Sequence, residues 1–229
     1  NMNVLAIIPA RSGSKGIKNK NIKKINNVTL IEKAYAVAKK SKIFDQIVIS
    51  TDSALYQNLM KKRKINIFSL RSKKYSSDKS TDLQLLKYEI KKNEKFFNKR
   101  FSVIALLQPT SPMRNVNDLK RCFFKFKKEG LDAIWTLSKI DKKFNPTKLL
   151  KIKKDKLKYY DELGKNFVGR QLLNQYYIRN GIAYFFSRKS IINLNTILPK
   201  KSSYLIINRK TVNIDDLQDL KNAQKILQK

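Results

Sequence analysis

Four basic residues, two glycines and no acid fall within IPARSGSKGIKNKN, residues 8–21. Arg11 offers a planar fork of donors, Ser14 a hydroxyl, Lys15 a point charge, and Gly16 room for a close backbone approach. The set follows VLAII (4–8), an apolar run of buried-strand length. Ligands of open α/β sheets collect beyond the carboxyl ends of the strands, where exposed loop N–H groups can cradle phosphate. The loop therefore reads as a polyphosphate site, with a ligand-free basic turn as the alternative. Its spacing is neither GxxxxGK[ST] nor GxGxxG, which counts against a P-loop nucleotidase and a dinucleotide-binding fold.

The rest of the composition narrows the chemistry. With no histidine and one cysteine, Cys122, neither imidazole catalysis nor an internal disulfide is open to the chain. Any metal must sit on oxygen ligands, which favours Mg²⁺ or a similar hard ion. A net charge of +34 attracts polyanions. Yet the lysines are spread over nearly every segment instead of clustering with stacking aromatics, so no specific nucleic-acid partner is expected. No apolar run approaches the roughly 20 residues of a membrane span, no signal peptide is recognised, and a cytoplasmic protein is expected. Asn1 precedes Met2, so the natural start is read as Met2 and Asn1 is set aside.

These residues need a scaffold, and the pattern supplies one. Strands are predicted at 4–8, 46–50, 66–70, 101–107, 132–138, 181–187 and 204–208. Helices are predicted at 29–41, 54–63, 81–95, 118–129 and 216–228, with a short one after residue 187. Asp52 or Ser53 would cap the second helix, and Asn117 or Asp118 would open the fourth. The alternation predicts an α/β fold with a mainly parallel sheet flanked by helices, the apolar strand 101–107 lying centrally. Residues 140–178 break the rhythm. They are charged, aromatic-rich and helix-poor, with a hairpin in KLLKIKKDKLKYY. The chain reads as one domain, 2–229, with 140–178 as an excursion from it.

The opening loop also resembles the signature of the nonulosonate (acylneuraminate) cytidylyltransferases, the CMP-sialic acid synthetases and their relatives, roughly (I/V)xPARxGSKGxxxKN. ISTDS (49–53), LQPTSPMR (107–114), RNGIAYFF (179–186) and NIDDLQDL (213–220) resemble that family's later motifs in the same order. The resemblance implies a Rossmann-like nucleotidyltransferase fold and a dimerisation excursion. It also implies transfer of CMP from CTP to a sialic acid-type sugar, giving CMP-sugar and pyrophosphate for cell-surface glycans. Arg11 and Lys15 would hold the triphosphate, helped by Ser14 and Gly16, while Lys20 and Asn21 match the family's KN pair. Arg71 falls where the family approaches cytosine, a solvated loop cation being the alternative. Gln108 can read sugar or ribose hydroxyls, and Arg114 is read as structural. Arg170 and Gln171 resemble an RQ pair near the sugar pocket, where a bidentate Arg suits a carboxylate, a plain surface cation being the alternative for Arg170. Arg179 and Asn180 are expected to point at the sugar. Of Tyr184, Phe185 and Phe186, at least one should be plain core.

The family usually reads DID before its last helix, and this chain reads Asn213, Ile214, Asp215. Asp215 is expected to hold Mg²⁺, with Asn213 offering a neutral oxygen in place of a charge. Asp216 would face away or cap the helix, and Asp219 would sit in its first turn. The expected partners are CTP, a nonulosonic acid and a second copy of the chain. Two alternatives stay open: a CTP-binding homologue with weakened or lost turnover because of Asn213, and a 3-deoxy-octulosonate cytidylyltransferase.

Overall fold

The computed structural model describes residues 2–14, 16–166 and 174–228. In chain order the elements are β1 (Val4–Pro9), a small ribbon of β2 (Lys24–Ile25) and β3 (Val28–Thr29), α1 (Leu30–Ser41), β4 (Gln46–Ser50) and α2 (Ala54–Lys62). They continue with α3 (Asp82–Phe97), β5 (Val103–Leu106), α4 (Val116–Lys128), β6 (Ala133–Lys139), β7 (Leu150–Lys153) and β8 (Lys156–Tyr159). The chain closes with β9 (Tyr177–Ser187), α5 (Arg188–Ile192), β10 (Ser202–Ile206) and α6 (Leu217–Leu227).

The main sheet has the order β10-β6-β9-β5-β1-β4. The pairs β1 with β4, β1 with β5 and β10 with β6 are parallel, while β9 runs against both of its neighbours. Residues of β1 are apolar without alternation because both faces of the sheet are covered. Val4, Ala6 and Ile8 enter the core that α1, α2 and α4 close. Leu5 and Ile7 enter the opposite core, under α3 and α5. Phe185 points into the first core and Tyr184 and Phe186 into the second, so all three are interior.

Helix starts follow local chemistry. Thr29 with Glu32, Thr81 with Gln84 and Asp216 with Asp219 form reciprocal capping boxes, and Ser53 caps α2. Two expectations are corrected. Helix α4 starts at Val116 with Asn115 as cap, because Asp118 is used three residues later to close the box on the Asn115 backbone. Residues 66–70 form no strand. Gln57 Nε2 donates to the Ile67 carbonyl at 2.7 Å, so a side chain satisfies the backbone there, and β4 is left as the sheet edge.

Between β6 and β9 the chain leaves the sheet and forms the β7–β8 hairpin. Lys154 and Asp155 both take positive φ at its tip, as a tight two-residue hairpin turn requires. The pairs Leu150 with Tyr159 and Ile152 with Leu157 lie on one face, and lysine pairs on the other. The apolar face is open, with Ile152 76% exposed. No helix among the described residues is long and apolar enough to cross a membrane.

Candidate active site

The loops after β1 and β5, the segment 71–82 that leads into α3, and the segment before α6 together enclose a cavity of about 540 Å³. Arg11, Ser14, Gly16, Lys20 and Asn21 line it from the first loop. That loop is held from below: Asp52 accepts from the Ser12 backbone N–H at 2.9 Å and the Ser12 hydroxyl at 3.2 Å. Asn21, buried, donates to the Arg11 carbonyl at 2.9 Å. A Cβ on Gly16 would collide with the Asp215 carbonyl oxygen, so the glycine is what lets the first loop touch the acidic segment. Lys20 Nζ then reaches Asp215 Oδ1 at 3.1 Å, and Asn213 Nδ2 donates to Asp215 Oδ2 at 3.2 Å.

Arg71 lies at the wall of this cavity and is only 5% exposed. Its backbone N–H donates to the Thr51 carbonyl, and its Nε donates to Ser76 Oγ at 3.1 Å. Its Nη2 is buried with no hydrogen-bond partner among the described residues. Burial pushes the guanidinium pKa down, while the charges of Glu89 and Asp52 pull it back up. Glu89 is itself buried, and holds Ser50 Oγ, Lys92 Nζ and Asn93 Nδ2 at 2.7–3.0 Å. A buried donor without a partner costs stability, and an acceptor brought to this wall of the cavity could satisfy it.

A family model described as Cytidylyltransferase matches residues 5–229. The chain belongs to the cytidylyltransferase family. Campylobacter jejuni supplies two relatives. One is a CMP-N,N'-diacetyllegionaminic acid synthase, 29% identical over 220 residues, which cover 95% of this chain and 92% of the relative. The other is a pseudaminic acid cytidylyltransferase, 30% identical over 232 residues, covering 100% of this chain and 97% of the relative. Among solved structures, a CMP:2-keto-3-deoxy-manno-octonic acid synthetase complexed with CTP superposes with a TM-score of 0.71. It covers 99% of this chain and 98% of its own, at 12% identity, and so speaks for the nucleotidyltransferase fold alone.

On the β5 side the cavity of this cytidylyltransferase is lined by Gln108, Pro109 and Thr110. Gly181 has φ 71°, and a Cβ there would strike the Gln108 and Ser111 side chains, so glycine leaves room for the amide that lines the cavity. Arg114 is buried and donates to the carbonyls of Gln108, Gly181 and Ile182, tying LQPTSPMR to β9. Burial lowers its pKa to about 10, with Asp118 opposing, so it remains a cation at neutral pH. This is the structural role its position in the motif indicated.

The sugar-side expectations divide. Arg179 sits outside the cavity, 3.7 Å from Asp82, a cavity residue, with its guanidinium 5.2 Å from the Trp135 ring centre. It borders a second, apolar groove of about 520 Å³ with Trp135, Leu137, Leu198 and Tyr204. Asn180 does not face the cavity. Its side chain is spent between β6 and β9, accepting from Thr136 Oγ1 at 2.7 Å and donating to Ser138 Oγ at 3.1 Å. Lys15, Arg170 and Gln171 lie outside the described residues.

Sequence reasoning missed Asp52, Tyr75, Asp78 and Asp82. Tyr75, Asp78 and Asp82 line the cavity from the segment that follows Arg71. The available signal was the hydroxyl-rich run SSDKSTD (76–82), polar without being a turn signature.

Proposed function

We propose that this cytidylyltransferase transfers CMP from CTP to a nonulosonic acid sugar and releases pyrophosphate. The observation that carries the reading is the buried Arg71 with its unpartnered Nη2, on the wall of a cavity also lined by Arg11 and Asp215. A cytosine presents carbonyl and ring-nitrogen acceptors, and a buried guanidinium donor suits them. The sugar comes from the legionaminic and pseudaminic acids named in the two relatives.

In the reaction the sugar hydroxyl oxygen bonds to the α-phosphorus of CTP. The bond from that phosphorus to the bridging oxygen breaks, pyrophosphate leaves with the electron pair, and the hydroxyl loses its proton. Little covalent work falls to the protein, so catalysis is alignment and charge neutralisation. Arg11 and Lys15 hold the phosphates and offset the charge that grows on the departing group. Ser14 and the Gly16 backbone donate beside them. Gln108 orients a hydroxyl, and Arg179, with Arg170 and Gln171, takes the sugar carboxylate.

Mg²⁺ fits the acidic segment. Asp215 is a largely exposed carboxylate on the cavity rim, Asn213 adds an amide oxygen, and the described residues hold no larger cluster of His, Cys, Asp or Glu. A hard ion that keeps most of its waters suits so sparse a donor set. Bound there, it neutralises phosphate charge. The exposed apolar face of the β7–β8 hairpin supports a homodimer built through the excursion.

The test is pyrophosphate release from CTP with a panel of sialic, legionaminic and pseudaminic acids and 3-deoxy-octulosonate, with and without Mg²⁺. Turnover with a nine-carbon acid supports the reading, and turnover with the octulosonate alone overturns it. Asn213 favours one second reading, a CTP-binding protein that has lost turnover. Normal CTP affinity without product, restored by Asn213→Asp, would establish it.

A further inference from the structure

Two of the cations assigned above to substrate anions already hold an anion of the protein's own. Arg11 Nη1 lies 2.5 Å from Asp78 Oδ1, and Arg179 Nη1 lies 3.7 Å from Asp82 Oδ2. Both aspartates come from one short segment and both line the cavity. In a chain with 51 Lys and Arg against 17 acids, composition alone does not put two carboxylates on that wall.

Their placement opposes any anion that approaches the two arginines. Without ligand, Arg11 and Arg71 repel each other enough to depress the Arg71 pKa, after the larger effects of burial and the two nearby acids. A carboxylate on Arg11 offsets part of that repulsion. Once a triphosphate reaches Arg11, the same carboxylate faces like charge at short range. At the other end, burial pushes the Asp82 carboxyl up and Arg179 opposes the shift, so that ion pair also satisfies a partly desolvated acid.

We propose that Asp78 and Asp82 are resident competitors, each occupying the arginine that a substrate anion must take: CTP displaces Asp78 from Arg11, and the sugar carboxylate displaces Asp82 from Arg179. The inference rests on the functional reading above, and it sets the affinity for both substrates from one segment. Two rival roles for these carboxylates, holding a substrate hydroxyl or sharing a metal, predict the opposite sign on substitution.

The experiment is calorimetric titration of CTP, with Mg²⁺, into the wild-type chain, Asp78→Asn, Arg11→Ala and the double variant. The Arg11 and Asp78 side chains are 35% and 40% exposed, so the pair is screened. Asp78→Asn is expected to tighten CTP about two- to fivefold, as loss of an exposed ion pair allows. The gain should shrink in high salt and be smaller when Arg11 is already alanine. Asp78→Ser is a second variant, and near-unchanged thermal unfolding shows that both are folded. Wild-type binding with no gain, or a loss, in both variants overturns the inference alone. No CTP binding by any variant overturns the functional reading and this inference with it. For Asp82, the steady-state KM for the sugar is the measure: Asp82→Asn should lower it more than it changes kcat, and a rise overturns that half.

Discussion

The β1 end of the cavity and the excursion between β6 and β9 are built on opposite plans. The first hangs on β1, whose Leu5, Ala6, Ile7 and Ile8 are fully buried, and its loop is pinned by Asp52 and Asn21 from inside the protein. The second is a two-stranded hairpin with all eight of its strand residues exposed. A two-stranded ribbon is marginal alone in water. The contrast separates a part of the molecule whose geometry is set by its own core from one whose apolar face still needs a cover.

That contrast can be broken by substitution. Phe185→Ala, in the core beneath β9, should cost about 3–5 kcal/mol of stability, seen as a lower midpoint in chemical denaturation. A loss below about 1 kcal/mol would mean the sheet core is not the rigid end of the comparison. Arg71→Ala should weaken CTP binding by about 1.5–3 kcal/mol, the range for a hydrogen bond from a charged group, while the unfolding midpoint falls only modestly, the lost Ser76 bond being offset in part by removal of the orphaned donor. Calorimetry and thermal unfolding on the same sample read both. Ile152→Glu should change monomer stability by less than about 0.5 kcal/mol. By sedimentation it should shift the chain from dimer towards monomer, and an unchanged oligomeric state would remove the hairpin face from the interface.

Much of the architecture was legible because it depends on local pattern. The continuous apolar run of β1 signals a strand covered on both faces. Thr29 with Glu32 and Thr81 with Gln84 mark helix starts by side chains that bond only their own turn. The KLLKIKKDKLKYY hairpin follows from alternation around a two-residue tip. NIFSL has the composition of a strand and is not one. Strand pairing needs a free edge in register, and the Ile67 carbonyl is taken by Gln57 instead.

The site was half legible. Arg11, Ser14, Gly16, Lys20 and Asn21 are near in sequence, and the structure keeps them near. Asn180, expected at the sugar, lies in the interior, and Arg71, for which the sequence left a solvated loop cation open as the alternative, is buried on the cavity wall. In both cases exposure is decided by what packs above the residue, and nothing within a few positions encodes that.

The amino-acid sequence by itself determined most of the order of strands and helices, the glycine-bracketed basic loop, the absence of histidine and the Asn213–Ile214–Asp215 stretch, since each depends on residue type and short spacing. The tertiary structure alone decided that Gly16 lets that loop meet Asp215, that Arg71 keeps a donor in reserve, and that Asp78 sits on Arg11. Those contacts join residues far apart in the chain. They arise only when packing of the two cores sets the distances between the loops.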